Sequence, residues 1–386
     1  MQKLADNILC WCSNPEAGAV QQAKNIANHP WLVGNVCLMP DTHEGYGMPI
    51  GGVAALDNAI CPNMVGVDIG CGMLAVRTNL NVAEVTTENL KKVMGKIRER
   101  IPVGFNHHQK KQSSVVFSDE SWWEDNPICW QEFESAQYQI GTLGGGNHFI
   151  EIQKDEDDNV WFMIHSGSRN LGKKVADYYN KEAIDLCKEW HQDEIVKNEL
   201  AVLPAGSMEG NAYINEMQLC LDFAFRNRTK MADEIMNSFS EVFPLVEPEK
   251  VLNIHHNYAD LEHHFGRNVW VHRKGATLAR EGTIGIIPGS QGTCSYIVEG
   301  LGNEASLQSC SHGAGRKMSR KKAKEELTVE GEAKRMDELG IVHSIRNVDD
   351  LDEAPSAYKD IDVVMDEQKD LVKILVKLSP MGVIKG

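Results

Sequence analysis

The chain has 386 residues, of which 42% are hydrophobic and 24% charged, a composition that excludes a disordered or fibrous protein and allows a large buried core. Its formal net charge of −16 excludes a protein that coats nucleic acid by bulk electrostatics, because that binding rests on neutralising phosphates with many cations. No run of about 18 apolar residues occurs, so no membrane span is expected. The segment from Met1 to Asp6 lacks the basic and then apolar pattern of a signal peptide, which points to the cytoplasm.

Residues 1–80 are rich in Gly, Val and Ile and predict strands joined by tight loops. Leu90, Val93, Ile97 and Ile101 recur at helical spacing and predict a helix over 87–101, with Thr87 as its cap. Residues 104–140 include Trp122, Trp123 and Trp130 but carry no periodic signal, and read as an irregular surface excursion. Further helices are predicted over 175–190 and from about 211 to 231. Short strands and glycine turns return over 251–298. The last third combines a charged helix over 321–339 with an apolar strand over 371–376. There is no internal repeat, and the alternation lacks the βαβ rhythm of a doubly wound sheet.

Ten cysteines are scattered along the chain. Without an export signal they read as buried small hydrophobes or metal ligands rather than disulfides. Cys10 and Cys12 have no second pair at zinc-finger spacing and read as structural. Cations concentrate in two runs, His107-His108-Gln109-Lys110-Lys111 and Arg316 to Lys322. Each taken alone reads as a solvated face.

The chemistry-bearing residues fall in short polar islands embedded in glycine. In Val67-Asp68-Ile69-Gly70-Cys71-Gly72-Met73, a carboxylate and a thiol three positions apart can be presented by one tight turn. Leu143-Gly144-Gly145-Gly146-Asn147-His148-Phe149-Ile150-Glu151 brings backbone and three polar side chains together. Ile164-His165-Ser166-Gly167-Ser168-Arg169 ends a strand on a His and adds an Arg suited to a bidentate phosphate contact. Asn253-Ile254-His255-His256-Asn257 supplies further imidazoles. Each island alone is more often structural. Together they hold the inventory of a buried transition-metal site, and thiolate with imidazole favours zinc on ligand softness. Cys310-Ser311-His312-Gly313-Ala314-Gly315-Arg316, with Ile287-Pro288-Gly289-Ser290-Gln291-Gly292 before it, offers backbone N–H groups, hydroxyls and an Arg fork to a phosphate. Neither a Walker loop nor a G-x-S-x-G elbow is present.

These motifs resemble those of the RtcB family of RNA-splicing ligases. The resemblance spans nearly the whole chain, from Met39-Pro40-Asp41-Thr42-His43-Glu44-Gly45-Tyr46-Gly47 to Gly382-Val383-Ile384-Lys385-Gly386. It implies a mixed α/β (α+β) fold, a single domain over 1–386 with antiparallel sheets around a deep central cleft. It further implies that Asp68, Cys71, His148, His165 and His256 hold two manganese ions, with zinc or cobalt as alternatives. His312 would be the nucleophile that accepts GMP from GTP. Asn147, Glu151, Ser290, Ser295, His312, Gly315, Tyr358 and Lys385 would contact the guanine nucleotide. Arg169, Lys274, Arg316 and Arg320 would line the path of an RNA with 3′-phosphate or 2′,3′-cyclic phosphate and 5′-hydroxyl ends. A monomer is expected, and whether a helper protein is a further partner is left open by the sequence. His255 is expected to be structural, because the family's His-Asn pair falls on His256 and Asn257. Cys294 and the pair His263-His264 lie in no motif and are read as packing or surface residues. The rival enzymatic reading is a metal-dependent phosphoesterase, which would need the metal ligands but neither His312 nor Lys385. A non-catalytic binding paralogue would be expected to lack a ligand or the nucleophile, and none is missing.

Overall fold

A computed structural model describes residues 1–386. Two antiparallel-dominated sheets organise it. One has six strands, in the spatial order Gln2–Ala5, Ile8–Cys10, Leu32–His43, Ile50–Leu56, Arg267–Lys274 and Asn257–His264. Its single parallel pairing joins Ile8–Cys10 to Leu32–His43. The other has seven, in the order Pro248–His255, Gly72–Asn81, Asn159–Ser166, Phe149–Lys154, Val372–Lys385, Ser295–Gly300 and Ile284–Ile287. Every pairing in it is antiparallel. The chain passes from the second sheet to the first at a single residue, His256, which lies between Pro248–His255 and Asn257–His264. The mixed α/β architecture with antiparallel sheets is the one expected.

The helix at Thr87–Arg100 buries Leu90, Val93, Met94 and Ile97, the face its spacing predicts. Its cap is Thr86, whose side chain accepts from the Asn89 N–H, one residue before the expected cap. The helix expected at 175–190 starts at Arg169, directly after the His165 strand, and ends at Glu189. The one expected over 211–231 runs from Met208 to Ser240. Its apolar residues surround the axis rather than forming a stripe, because it is packed on most sides, and this blurs the periodicity that would mark its ends. The charged stretch splits into Arg320–Glu326 and Val329–Glu338, where Thr328 caps the second helix. The terminal strand extends to Lys385. A helix at Ala17–Ala27, inside the region read as strands, was hidden by its small residues.

Residues 104–140 depart most from expectation. They contain the short helices Glu120–Glu124, Pro127–Gln131 and Phe133–Gln139, and Trp123 is fully buried. Its ring lies 5.5 Å from that of Phe117, 5.1 Å from Phe133 and 6.4 Å from Phe223. The buried Glu216 carboxylate accepts from the N–H groups of Ile128 and Cys129 and from the Tyr179 hydroxyl. Aromatic anchors spaced irregularly in sequence hold this segment, so no period betrays its burial. All cysteines are free, and only Cys294 is not buried. No helix is long and apolar enough to cross a membrane.

Candidate metal and nucleotide site

Asp68 and Cys71 sit on the turn entering the strand Gly72–Asn81, His148 precedes Phe149–Lys154, and His165 lies near the end of Asn159–Ser166. Antiparallel pairing places Met73 opposite His165 and Phe149 opposite His165, so three separate islands meet at one end of the sheet. Cys71 Sγ lies 3.2 Å from His165 Nε2 and 3.6 Å from His148 Nε2. Asp68 Oδ2 lies 3.1 Å from His148 Nε2, and His165 Nε2 lies 3.3 Å from His256 Nε2.

The donor set fits a cation. Nδ1 of His148 is 2.9 Å from Leu143 O, and Nδ1 of His165 is 3.1 Å from Asn147 O. A carbonyl only accepts, so each Nδ1 carries a proton and each Nε2 is turned to the thiol, where it offers a lone pair when the ring is neutral. Burial, followed by the charges of His148 and His312, holds His165 far below the usual imidazole range. Burial, with Asp68 next, pushes the Cys71 thiol well above its ordinary range. Burial raises the Asp68 carboxyl, but the hydrogen bond and charge of His148 outweigh it and leave the group below the usual range. Lone pairs and carboxylate charge thus converge on a point where a cation would replace missing protons. Cys71, His148 and His165 form a group able to hold a metal ion. His256 adds an imidazole whose buried Nδ1 has no hydrogen-bond partner.

The backbone around these ligands is clamped by polar side chains of the long helix Met208–Ser240. The fully buried Arg228 donates to Gly70 O and Ser166 O, each at 2.9 Å, and to Asn253 Oδ1 at 2.7 Å. Asn227 donates to Thr142 O and Gly167 O. His255 faces away from the cluster, with Nδ1 3.1 Å from Gly70 O and beside Arg228. Burial and Arg228 push its pKa down to about 3, so it is neutral and structural, as expected.

His312 stands next to this cluster. Its ring centroid is 4.8 Å from that of His256. The buried Asp41, at the end of Leu32–His43, places Oδ2 2.6 Å from His312 Nδ1 and accepts from the N–H groups of His312 and Gly313 at 3.1 and 3.2 Å. Nδ1 therefore carries the proton, and Nε2 presents a free lone pair. Gly315 has φ +73°, and a Cβ there would overlap the Asp41 carbonyl, so only glycine lets the two loops meet. Asp41 was quoted above only as part of a motif; its role emerges from a pairing 271 residues apart in sequence.

His165 and His312 line a cavity of about 700 Å³ that extends to Asn147, Glu151, Ser290, Gly315, Arg316, Arg320, Tyr358 and Lys385. Glu151 is buried at the far wall, where desolvation pushes its pKa up to about 8 against the opposing pull of Gln153 and Lys385. Glu353, unnoticed in its acidic run, is buried and pairs with Arg316 at 2.9 Å, Arg320 at 2.9 Å and the Tyr358 hydroxyl. Burial raises its carboxyl, yet Lys385 and Arg316 hold it below the usual range. The Arg316 guanidinium also stacks 5.2 Å over the Tyr358 ring. Ser295 lies behind the wall, accepting from Gln153 at 3.0 Å and from the Gly289 N–H at 3.2 Å.

Two of the four residues expected along an RNA path, Arg169 and Lys274, are not among the residues that line the cavity. Arg169 donates to Thr142 Oγ1 at 3.0 Å and to Gly104 O at 2.9 Å, bracing the loop that carries His148. Lys274 is buried, and its ammonium donates to the carbonyls of Tyr46 at 2.6 Å and Asn63 at 3.0 Å.

Residues 22–386 match the family described as tRNA-splicing ligase RtcB. The chain belongs to the RtcB family. It is 39% identical to the RNA-splicing ligase RtcB of Escherichia coli, over 96% of this chain and 95% of that protein. It is 34% identical to the tRNA-splicing ligase RtcB of Nanoarchaeum equitans, covering 95% of this chain and 91% of the relative. The corresponding protein of Thermococcus kodakarensis is 33% identical, with the same coverage of each chain.

Proposed function

We propose that this RtcB-family chain is a GTP-dependent RNA ligase that joins a 3′-phosphate end to a 5′-hydroxyl end, in RNA repair or tRNA splicing. The observation that carries the reading is the His312–Asp41 pair in ring contact with His256, at the junction of a metal-suited cluster and a cavity lined by Arg316, Arg320, Lys385 and Tyr358. Asp68, Cys71, His148, His165 and His256 would hold manganese. When bound, that cation would neutralise phosphate charge at the reacting centre.

His312 Nε2 would attack the α-phosphate of GTP, forming a P–N bond while pyrophosphate leaves with the electron pair of the broken P–O bond. Asp41 would hold the tautomer and steady the charge that develops on the ring, as the third group does in other nucleophile arrangements. The RNA 3′-phosphate, released from a 2′,3′-cyclic end by hydrolysis where needed, would then take GMP from His312. The 5′-hydroxyl would displace GMP from the resulting RNA-(3′)pp(5′)G end, completing the phosphodiester. Arg316 and Arg320, already paired with Glu353, would sit where phosphate charge accumulates. Glu151 and Lys385 would face the guanine, with Tyr358 beside it.

The test is incubation of the purified chain with manganese and GTP radiolabelled at the α-phosphate. An acid-labile protein label, absent from His312→Ala, is expected. Release of phosphate from RNA ends without any protein label, under every divalent metal tried, would replace this reading with a metal-dependent phosphoesterase.

A further inference from the structure

Tyr46 is 72% exposed, yet it lines the same cavity as His312 and Arg316. Its ring is held out by a fastened loop. Gln22 accepts from the Gly45 N–H at 3.1 Å and donates back to Gly45 O. The Gly47 N–H donates to Glu199 at 2.9 Å, and Asn63 donates to Glu199 O at 3.0 Å. From inside, the buried Lys274 ammonium ties Tyr46 O to Asn63 O. A buried lysine spent on two carbonyls fixes the backbone under this one ring. A large aromatic surface is thereby presented to solvent at little further entropic cost on binding.

The charge around the ring selects what it can receive. Glu16 and Glu44 are exposed and line the same lip of the cavity, so a phosphate backbone is repelled there. A nucleobase is not, because it offers an uncharged π-face. From these observations we infer that Tyr46 is a stacking platform for a nucleobase of a single-stranded RNA end entering the cavity. The inference rests on the ligase reading for the identity of the polymer. It also accounts for how a chain of net charge −16 can grip RNA with few phosphate contacts, since stacking needs no cation.

The test compares the full-length protein with Tyr46→Leu and Tyr46→Phe. Fluorescence anisotropy would follow short single-stranded RNAs carrying either a 3′-phosphate or a 5′-hydroxyl end, alongside labelling of His312 by GTP. Tyr46→Leu should weaken binding of at least one RNA by about 5- to 100-fold, the range expected for one lost base stack. The deficit should persist at high salt, while Tyr46→Phe stays within about twofold and labelling is unchanged in both variants. The affected RNA identifies which end is stacked. Unchanged binding of both RNAs by Tyr46→Leu, or an equal loss in Tyr46→Phe, would overturn the inference. So would a fall in His312 labelling that parallels the fall in binding. Absence of labelling in the wild type, with the Tyr46 dependence of RNA binding intact, would instead sink the ligase reading and leave the platform standing.

Discussion

At the Cys71 end of the cavity, side chains are aimed by main chain: Leu143 O and Asn147 O set two imidazoles, and Arg228 holds the carbonyls of Gly70 and Ser166. At the Tyr358 end, side chains are aimed by other side chains, through Glu353 with Arg316, Arg320 and Tyr358. Ser166 O lies in the sheet, the buried Arg228 pins Gly70 O to it, and Asn227 holds Thr142 O beside Leu143, so the first end is fixed before any ligand arrives. An ion-pair network can exchange partners, so the second end can yield an arginine to a phosphate and recover it afterwards. One end suits a resident cation and the other a substrate that must come and go.

Substitutions can break this contrast. Cys71→Ala should do so most severely, lowering tightly bound manganese below wild-type stoichiometry and ligation by at least about 10³-fold. Metal analysis beside a ligation assay checks both, and full metal content in the variant would remove Cys71 from the ligand set. Asp41→Asn should leave metal content unchanged while slowing guanylylation by roughly 10³-fold, because an amide can donate to Nδ1 and favour the wrong tautomer. Single-turnover labelling of His312 measures it.

Glu353→Gln should act more mildly, raising the apparent KM for GTP by about tenfold as Arg316 and Arg320 lose the anchor that orients them. A comparable loss of bound metal would show that the two ends are not independent. An effect of similar size concerns pH. Glu151 has its pKa raised to about 8, so near neutrality it is mostly protonated and cannot accept both N–H groups of a guanine edge. Guanine-nucleotide affinity should rise by about tenfold from pH 6.5 to 8.5, with a proton released on binding. Calorimetry in buffers of different ionisation enthalpy reads the proton directly, and Glu151→Gln should flatten the profile. The sign for stability is opposite. A carboxyl raised above its unfolded value costs stability as pH climbs from about 4.5 towards 8, so Glu151→Gln should melt higher than wild type at pH 8.

The parts of this arrangement that were legible in sequence share one property, that glycine marked them. Asp68, Cys71, His148, His165 and His312 lie beside glycines the backbone requires, such as Gly144 at φ +92°, where a Cβ would strike Arg169 and His148. Asp41 and Glu353 were harder to see, because His312 is 271 residues from Asp41 and the arginines that Glu353 pairs with, Arg316 and Arg320, are 37 and 33 residues from it. The surroundings of Lys274 were hidden for a related reason. A lysine in sequence reads as a surface cation, and only the fold shows it buried on two carbonyls. The Trp123 segment shows the same limit for the fold, since its rings pack without any repeat that periodicity could register.

The crossing of the chain at His256 has a mechanical consequence. Its N–H donates to Cys71 O at 2.9 Å, and its carbonyl accepts from Ala276 N–H at 3.1 Å. Ala276 begins the short ladder with Ser309–Ser311 that delivers His312. One residue therefore couples the ligand turn, both sheets and the nucleophile strand, like a pivot pin through three plates. A cation gripped by the His256 ring would rivet that pin in place. Loading with manganese should then slow amide exchange along Ala276–Leu278 and Ser309–Ser311, the ladder joined to His256 through the Ala276 N–H.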